Sequence, residues 1–322
     1  MTFASDLAHS VHNGDRRALS KAITLVESSR PEDGESARQL LSLLAPVARP
    51  GFRIGVTGVP GAGKSTLIDA LGSRAIADGR RVAVLAVDPS SRDSGGSVLG
   101  DKTRMTRLST EAAAFIRPSP TLGVLGGTAS RTREVILLCE AAGFDLVFVE
   151  TVGVGQAEER VASMVDCVLL VLLAGAGDEL SSMKRGVLEA ADVIAFNKAD
   201  GDRRTATEAD AAALRSSLGI SRSQVPEVLI LSALEGTGIE RLWATLLGQH
   251  ELAEQQGSLE LRRARQRTAW FESALDVALH GIFTHAPELE QARMAAERDV
   301  QIGVKSAREA AEHLVAILLQ RR

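Results

Sequence analysis

Tyrosine is absent, and Phe and Trp together supply only 3% of the 322 residues. A chain so poor in rings lacks the stacking platforms that grip single-stranded nucleic acid. A net charge of −4 gives no general attraction to nucleic acid or anionic membrane. Cysteine is scarce too: Cys139 and Cys167 each lie in an apolar run, and neither belongs to a Cys-x-x-Cys pair. They read as buried thiols in a reducing compartment. The six histidines are scattered, so no structural metal site is indicated. Long apolar runs are missing as well. The most apolar stretch, Val165 to Ala176, is far shorter than the roughly 20 residues that cross a bilayer. The first 14 residues carry Asp6 and no apolar centre, which does not read as a signal peptide. The expectation is a cytoplasmic protein with no membrane and no nucleic-acid partner.

What is present is 45% hydrophobic residues arranged in clear periods. In residues 1–48 the apolar positions Ala18, Ile23, Leu25 and Val26, then Leu40, Leu41, Leu43 and Leu44, recur at helical spacing. The break Arg30-Pro31-Glu32-Asp33-Gly34 divides them into two expected helices. From Arg53 short apolar strands alternate with helix-length segments: 53–57, 81–87, 113–117, 145–150, 166–173, 192–197 and 228–231. Strands joined by such crossovers predict a doubly wound, mostly parallel α/β sheet. After Gln249 the strand pattern stops. Residues 259–283 and 288–319 are rich in Ala, Arg, Glu, Gln and Leu and predict two long helices in an antiparallel hairpin. The expected organisation is an N-terminal helical extension (1–49), an α/β nucleotide-binding domain (50–248) and a C-terminal helical arm (249–322).

Gly58-Val59-Pro60-Gly61-Ala62-Gly63-Lys64-Ser65 stands between an expected strand and an expected helix, the context that makes a Gly-x4-Gly-Lys-Ser run a phosphate-binding loop. Its backbone N–H groups and the positive end of the following helix attract a β-phosphate. We assign Gly58, Pro60, Gly61, Ala62, Gly63, Lys64, Ser65 and Thr66 to this cradle, with Lys64 on the β- and γ-phosphates and Ser65 on Mg²⁺. Asn197-Lys198-Ala199-Asp200 follows about 130 residues later at a strand tip. The Asp200 carboxylate accepts from guanine N1–H and the 2-amino group. Adenine offers neither donor and would leave a buried carboxylate unpaired. Asn197 reaches the base edge, the Lys198 stem covers its face, and Ser232-Ala233-Leu234 offers a backbone N–H to guanine O6. Glu150-Thr151-Val152-Gly153 ends another strand. There Glu150 is placed for Mg²⁺ or its water, and the Gly153 N–H for the γ-phosphate. Val154 stands where small GTPases carry a water-orienting Gln, which predicts slow intrinsic turnover raised by a partner. Asp88 and Asp101 lie on the ligand side of the sheet and are further Mg²⁺ or water ligands.

Together with Asp88-Pro89-Ser90-Ser91 and the run from Ser94 to Met105, these motifs resemble the MeaB/ArgK family of P-loop GTPases, chaperones of adenosylcobalamin-dependent methylmalonyl-CoA mutase. The resemblance covers nearly the whole chain. It implies GTP and GDP as ligands with Mg²⁺ held by Ser65, Asp88, Asp101 and Glu150. It implies a reaction centre of Lys64, Asp101, Glu150 and Lys184, the last in a switch that resembles Gly177 to Gly186 and that reorganises on meeting the mutase. Ser181-Ser182-Met183 departs there from the commoner Gln-Gly-Ile. The family also implies a homodimer through the C-terminal arm. Two other readings stay open: a kinase associated with basic amino-acid transport, whose base would be Asp88 or Asp101, and a nickel-insertion GTPase. The chain lacks the His-rich or Cys-x-x-Cys motif expected of the last.

Overall fold

The computed structural model describes residues 2–28, 30–87, 105–119, 128–151, 157–175, 185–219 and 226–320. The chain divides into two compact units, Met1–Gln266 and Arg267–Arg322.

The first unit is built on seven strands: β1 (Phe52–Gly58), β2 (Val82–Val87), β3 (Ala114–Ser119), β4 (Leu146–Thr151), β5 (Cys167–Leu172), β6 (Val193–Phe196) and β7 (Glu227–Ile230). They form one sheet of order β3-β2-β4-β1-β5-β6-β7, and every pairing is parallel. β4, β5 and β6 are buried along their whole length. Their sequences are accordingly unbroken apolar runs rather than alternations. Successive residues feed two cores: Leu146 and Phe148 join one, Val147 and Val149 the other. The first core is completed by helices α4 (Lys64–Ala77), α7 (Arg185–Ala190), α8 (Arg203–Gly219) and α9 (Ile239–Gln255). The second is completed by α5 (Thr128–Ala141), α6 (Ala157–Ala162) and three N-terminal helices. Cys139 and Cys167 are free and buried, and burial pushes both thiols above their ordinary value.

Three helices, not two, precede the sheet: α1 (Phe3–His12), α2 (Arg16–Glu27) and α3 (Pro31–Leu44). The extra break lies at Gly14, in left-handed geometry (φ 79°). Asp15 then restarts the chain as an N-cap, accepting from the N–H groups of Arg17 (2.7 Å) and Ala18 (3.1 Å). The break read at Arg30 to Gly34 falls at its start: α2 ends at Glu27, Arg30 is the cap residue of α3, and Pro31 to Gly34 already belong to that helix, with Pro31 in the first turn where no N–H is needed. Leu19, Ile23, Leu40 and Leu44 are fully buried, each worth roughly 1.5–3 kcal/mol.

The start of α10 (Ser258–His285) is fastened to the edge of the sheet opposite the strand tips that carry the motifs. Arg263, with its side chain 10% exposed, grips the Asp166 carboxylate, 1% exposed, through two bonds of 2.8 and 2.6 Å. It also donates to Gly51 O at 2.6 Å. Arg262 pairs with Asp192, and Gln266 donates to Val165 O at 2.8 Å.

The second unit contains the rest of α10, α11 (Pro287–Gln301) and α12 (Ala307–Leu319). The expected second long helix is therefore two. It breaks at Gly303 (φ 75°), and Ser306 caps the next helix by accepting from Glu309 N–H. α11 and α12 pack together and bury Leu289, Ala296 and Ala310. Among the described residues no helix is long and apolar enough to cross a membrane.

Candidate nucleotide site

The parallel sheet brings all the described motif residues to one edge, because each follows or ends a strand at its C-terminal tip. Gly58 closes β1, Glu150 and Thr151 close β4, Asn197 follows β6, and Ser232 follows β7. Gly58 lies against β5: a Cβ there would sit 2.0 Å from Val171 O, so only glycine fits. Gly63 caps α4 in left-handed geometry at φ 84°. A Cβ on it would come 2.6 Å from Asn197 Nδ2.

Lys64 is buried, and its Nζ donates to Gly58 O (2.9 Å) and Val59 O (3.1 Å). Its charge is thus held inside the curve of the loop, where an anion would meet it. On the same first turn of α4, Ser65 Oγ donates to Glu150 Oε1 at 2.8 Å. Hydroxyl and carboxylate are hard oxygen donors of the kind that Mg²⁺ selects, so the residues present fit that ion. Beneath them the buried hydroxyls of Thr57 and Thr151 join β1 to β4 at 3.0 Å.

Asn197 spans the two halves of the site. Its Nδ2 donates to Ala62 O at 2.7 Å, and its Oδ1 accepts from Ala233 N–H at 3.0 Å. The sequence presented Asn197 as a base contact; its fastening of the phosphate loop to the Ser232-Ala233 turn was not legible there, because neither partner is a side chain. Lys198 alone among the described non-glycine residues has positive φ (60°). Such strain costs of order 1–3 kcal/mol, and it carries the Lys198 stem past Gly63. Ser232 Oγ lies 3.3 Å from Asp200 Oδ1 and accepts from Glu235 N–H. Ser232 and Ala233 are buried, whereas Leu234 is 75% exposed. Its apolar side chain is available to cover a flat ligand.

The structure thus brings together Gly58, Pro60, Gly61, Ala62, Gly63, Lys64, Ser65, Thr66, Glu150, Asn197, Lys198, Asp200, Ser232, Ala233 and Leu234 along one edge of the sheet. Asp88, Asp101, Gly153 and Lys184 lie outside the described residues. Gly175, just before the segment holding Lys184, donates its N–H to Asp210 of α8 at 2.6 Å.

Residues 19–287 match the model of the family described as methylmalonyl Co-A mutase-associated GTPase MeaB. The chain belongs to this family. The MeaB-family chain is 47% identical over 264 residues to the GTPase ArgK of Escherichia coli, covering 81% of this chain and 80% of that one. It is 40% identical over 328 residues to the mitochondrial methylmalonic aciduria type A homolog of Mus musculus, covering 97% and 79%. The crystal structure of a protein named LAO/AO transport system kinase superposes with a TM-score of 0.75 at 35% identity, covering 98% of this chain and 97% of that one. As a member of the MeaB family the chain is a GTPase with a P-loop NTPase fold.

Proposed function

We propose that this GTPase is a chaperone of an adenosylcobalamin-dependent acyl-CoA mutase of the methylmalonyl-CoA type, and that GTP binding and hydrolysis gate cofactor loading. The observation that carries the proposal is the family match over residues 19–287. The relative named for methylmalonic aciduria supports it.

In this reading the phosphates lie along Gly58 to Thr66, and Lys64 leaves its carbonyl partners for the β- and γ-phosphates. Guanine sits between the Lys198 stem and Leu234, its edge on Asp200 and its O6 toward the backbone of the Ser232-Ala233-Leu234 turn. Ser65, Glu150, Asp88 and Asp101 hold Mg²⁺, and Gly153 N–H meets the γ-phosphate. The metal neutralises charge that develops on the phosphate oxygens. With Val154 in the place of a glutamine, the chain has little to orient the attacking water, and basal turnover is slow. Contact with the mutase then brings Lys184 to the phosphates. Coupling runs through loops ordered by the γ-phosphate and released on hydrolysis.

The arm supplies a homodimer contact in the same proposal. Phe271, Leu275, Leu279 and Ile282 are exposed on α10, and Leu319 on α12. Exposed apolar side chains at this density mark an interaction face. Light scattering should report twice the chain mass, and phenylalanine or leucine to glutamate changes on α10 should halve it.

Loading is tested directly by following cobalamin absorbance as adenosylcobalamin enters apo-mutase in the presence of this chain. Transfer should proceed with GTP and stall with a non-hydrolysable analogue. Identical transfer in both would defeat the proposal. The kinase reading draws on the name of the LAO/AO protein. It would gain if calorimetric competition gave tighter binding of ATP than GTP; Asp200 predicts the opposite.

A further inference from the structure

β1 and β4 are neighbours whose chains leave toward opposite faces of the sheet. α4, which follows β1, joins the first core, and α6, the next described helix after β4, joins the second. α6 seats on β1 itself: a Cβ on Gly55 would lie 2.4 Å from Val161 Cγ1. Adjacent parallel strands that diverge in this way open a crevice at their C-terminal ends. The backbone pairing of β1 with β4 runs from Phe52 opposite Leu146 to Val56 opposite Glu150. Past that point each strand stays with its other neighbour. β1 pairs with β5 as far as Gly58 opposite Val171, and β4 with β2 as far as Val87 opposite Thr151. A side-chain bond takes over where the ladder stops. Thr151 Oγ1 donates to Thr57 Oγ1 at 3.0 Å, and both residues are fully buried.

Each threonine is one peptide bond from the nucleotide site. Thr57 precedes Gly58, whose carbonyl accepts from Lys64 Nζ at 2.9 Å and so ties the start of α4 to the tip of β1. Thr151 follows Glu150, whose Oε1 accepts from Ser65 Oγ at 2.8 Å. Side chains alternate across a strand, so Glu150 faces the α4 side with Phe148, and Thr151 faces the other side with Val149. The Ser65–Glu150 bond and the Thr57–Thr151 bond therefore link the same two chain segments from opposite faces of the sheet. An ion shared by Ser65 and Glu150 would take the place of their direct bond, and the hydroxyl pair would then remain to hold the two tips together. We infer that Thr57 and Thr151 are positioning residues for the metal: their hydrogen bond sets the separation of the β1 and β4 tips, and with it the spacing of Ser65 and Glu150. The inference rests on the proposed role of Ser65 and Glu150 in holding Mg²⁺. With no exposed surface, neither threonine itself reaches a ligand.

The test uses full-length Thr57→Val, Thr151→Val, the double valine variant, Thr57→Ser, Thr151→Ser and Glu150→Gln. Three quantities are read: affinity for a fluorescent GDP in EDTA and across a Mg²⁺ titration, single-turnover GTP hydrolysis, and the thermal midpoint. Each single valine variant should slow hydrolysis by about tenfold to a hundredfold, the scale of an ångström-sized misplacement. It should raise the Mg²⁺ concentration needed for half of the metal's effect on GDP affinity, and leave affinity in EDTA unchanged. The serine variants keep the hydroxyls and should restore both readouts. A single valine also strands its partner's buried hydroxyl and lowers the thermal midpoint, whereas the double variant removes both hydroxyls and relieves that cost. The double variant should therefore recover the midpoint and keep the raised Mg²⁺ requirement. Recovery of both would mean that burial and not positioning is at stake, and overturns the inference. So does a loss of GDP affinity in EDTA that follows the loss of stability. If Glu150→Gln raises the Mg²⁺ requirement while the valine variants do not, the clamp alone falls. If Glu150→Gln leaves the requirement unchanged, the proposed metal role falls, and the clamp with it.

Discussion

Asp200 and Asn197 divide recognition from assembly at the base site. Asn197 spends both ends of its amide on backbone groups, Ala62 O and Ala233 N–H, and so holds the site's shape. The Asp200 carboxylate meets Ser232 Oγ at a long 3.3 Å, which leaves acceptor capacity for a base edge. Asp200→Asn replaces an acceptor with a donor where guanine offers donors. GTP affinity should fall by at least about a hundredfold, while xanthosine triphosphate, with a carbonyl at C2, should bind better than to the parent. Competition titration with both nucleotides checks this, and equal losses for the two would contradict it. At this scale the sequence was most legible where a side chain acts on a ligand within a short motif. It was silent where a side chain serves remote backbone, as Asn197 does, or a hydroxyl on a neighbouring strand, as Thr57 does.

Among the elements, the strands were readable because burial on both faces demands unbroken apolar runs, and β4 and β5 have them. The helices at both ends were miscounted because their breaks depend on single residues. Gly14 with Asp15, and Gly303 with Ser306, each supply a left-handed turn and a new cap within an otherwise helical pattern. The fastening of α10 was hidden for another reason. Arg262 and Arg263 sit in a run rich in arginine, and only long-range folding selects the one that meets the Asp166 carboxylate. Removing Arg263 would leave the Asp166 carboxylate buried with Arg53 N–H as its remaining donor. Arg263→Ala should therefore cost about 3–5 kcal/mol in urea unfolding. Arg263→Lys should recover little, because a lysine cannot reproduce the paired bonds to Asp166 together with that to Gly51 O. A loss below about 1 kcal/mol would show that the pair is not anchoring α10.

For the molecule as a whole, the division at Gln266 makes a prediction about separable roles. A chain ending after Gln266 retains Arg262, Arg263 and Gln266 and should fold, bind GDP normally and be monomeric. A chain ending after Gly257 loses all three fastenings and should be markedly less stable, with a lower thermal midpoint. If the shorter chain is as stable as the longer, the start of α10 belongs energetically to the arm. The proposed dimer and the proposed gating of the mutase are then separable experiments, since the nucleotide motifs all lie before Gln266.

The most direct test of the account is GTP turnover with and without the adenosylcobalamin-dependent acyl-CoA mutase of the same organism. The account predicts slow turnover alone and at least about a tenfold acceleration by saturating mutase, modest beside the roughly 10³–10⁵ that one inserted cation supplies in other GTPases. Lys184→Ala should remove most of that acceleration. An unchanged rate with every such mutase the organism makes would contradict it.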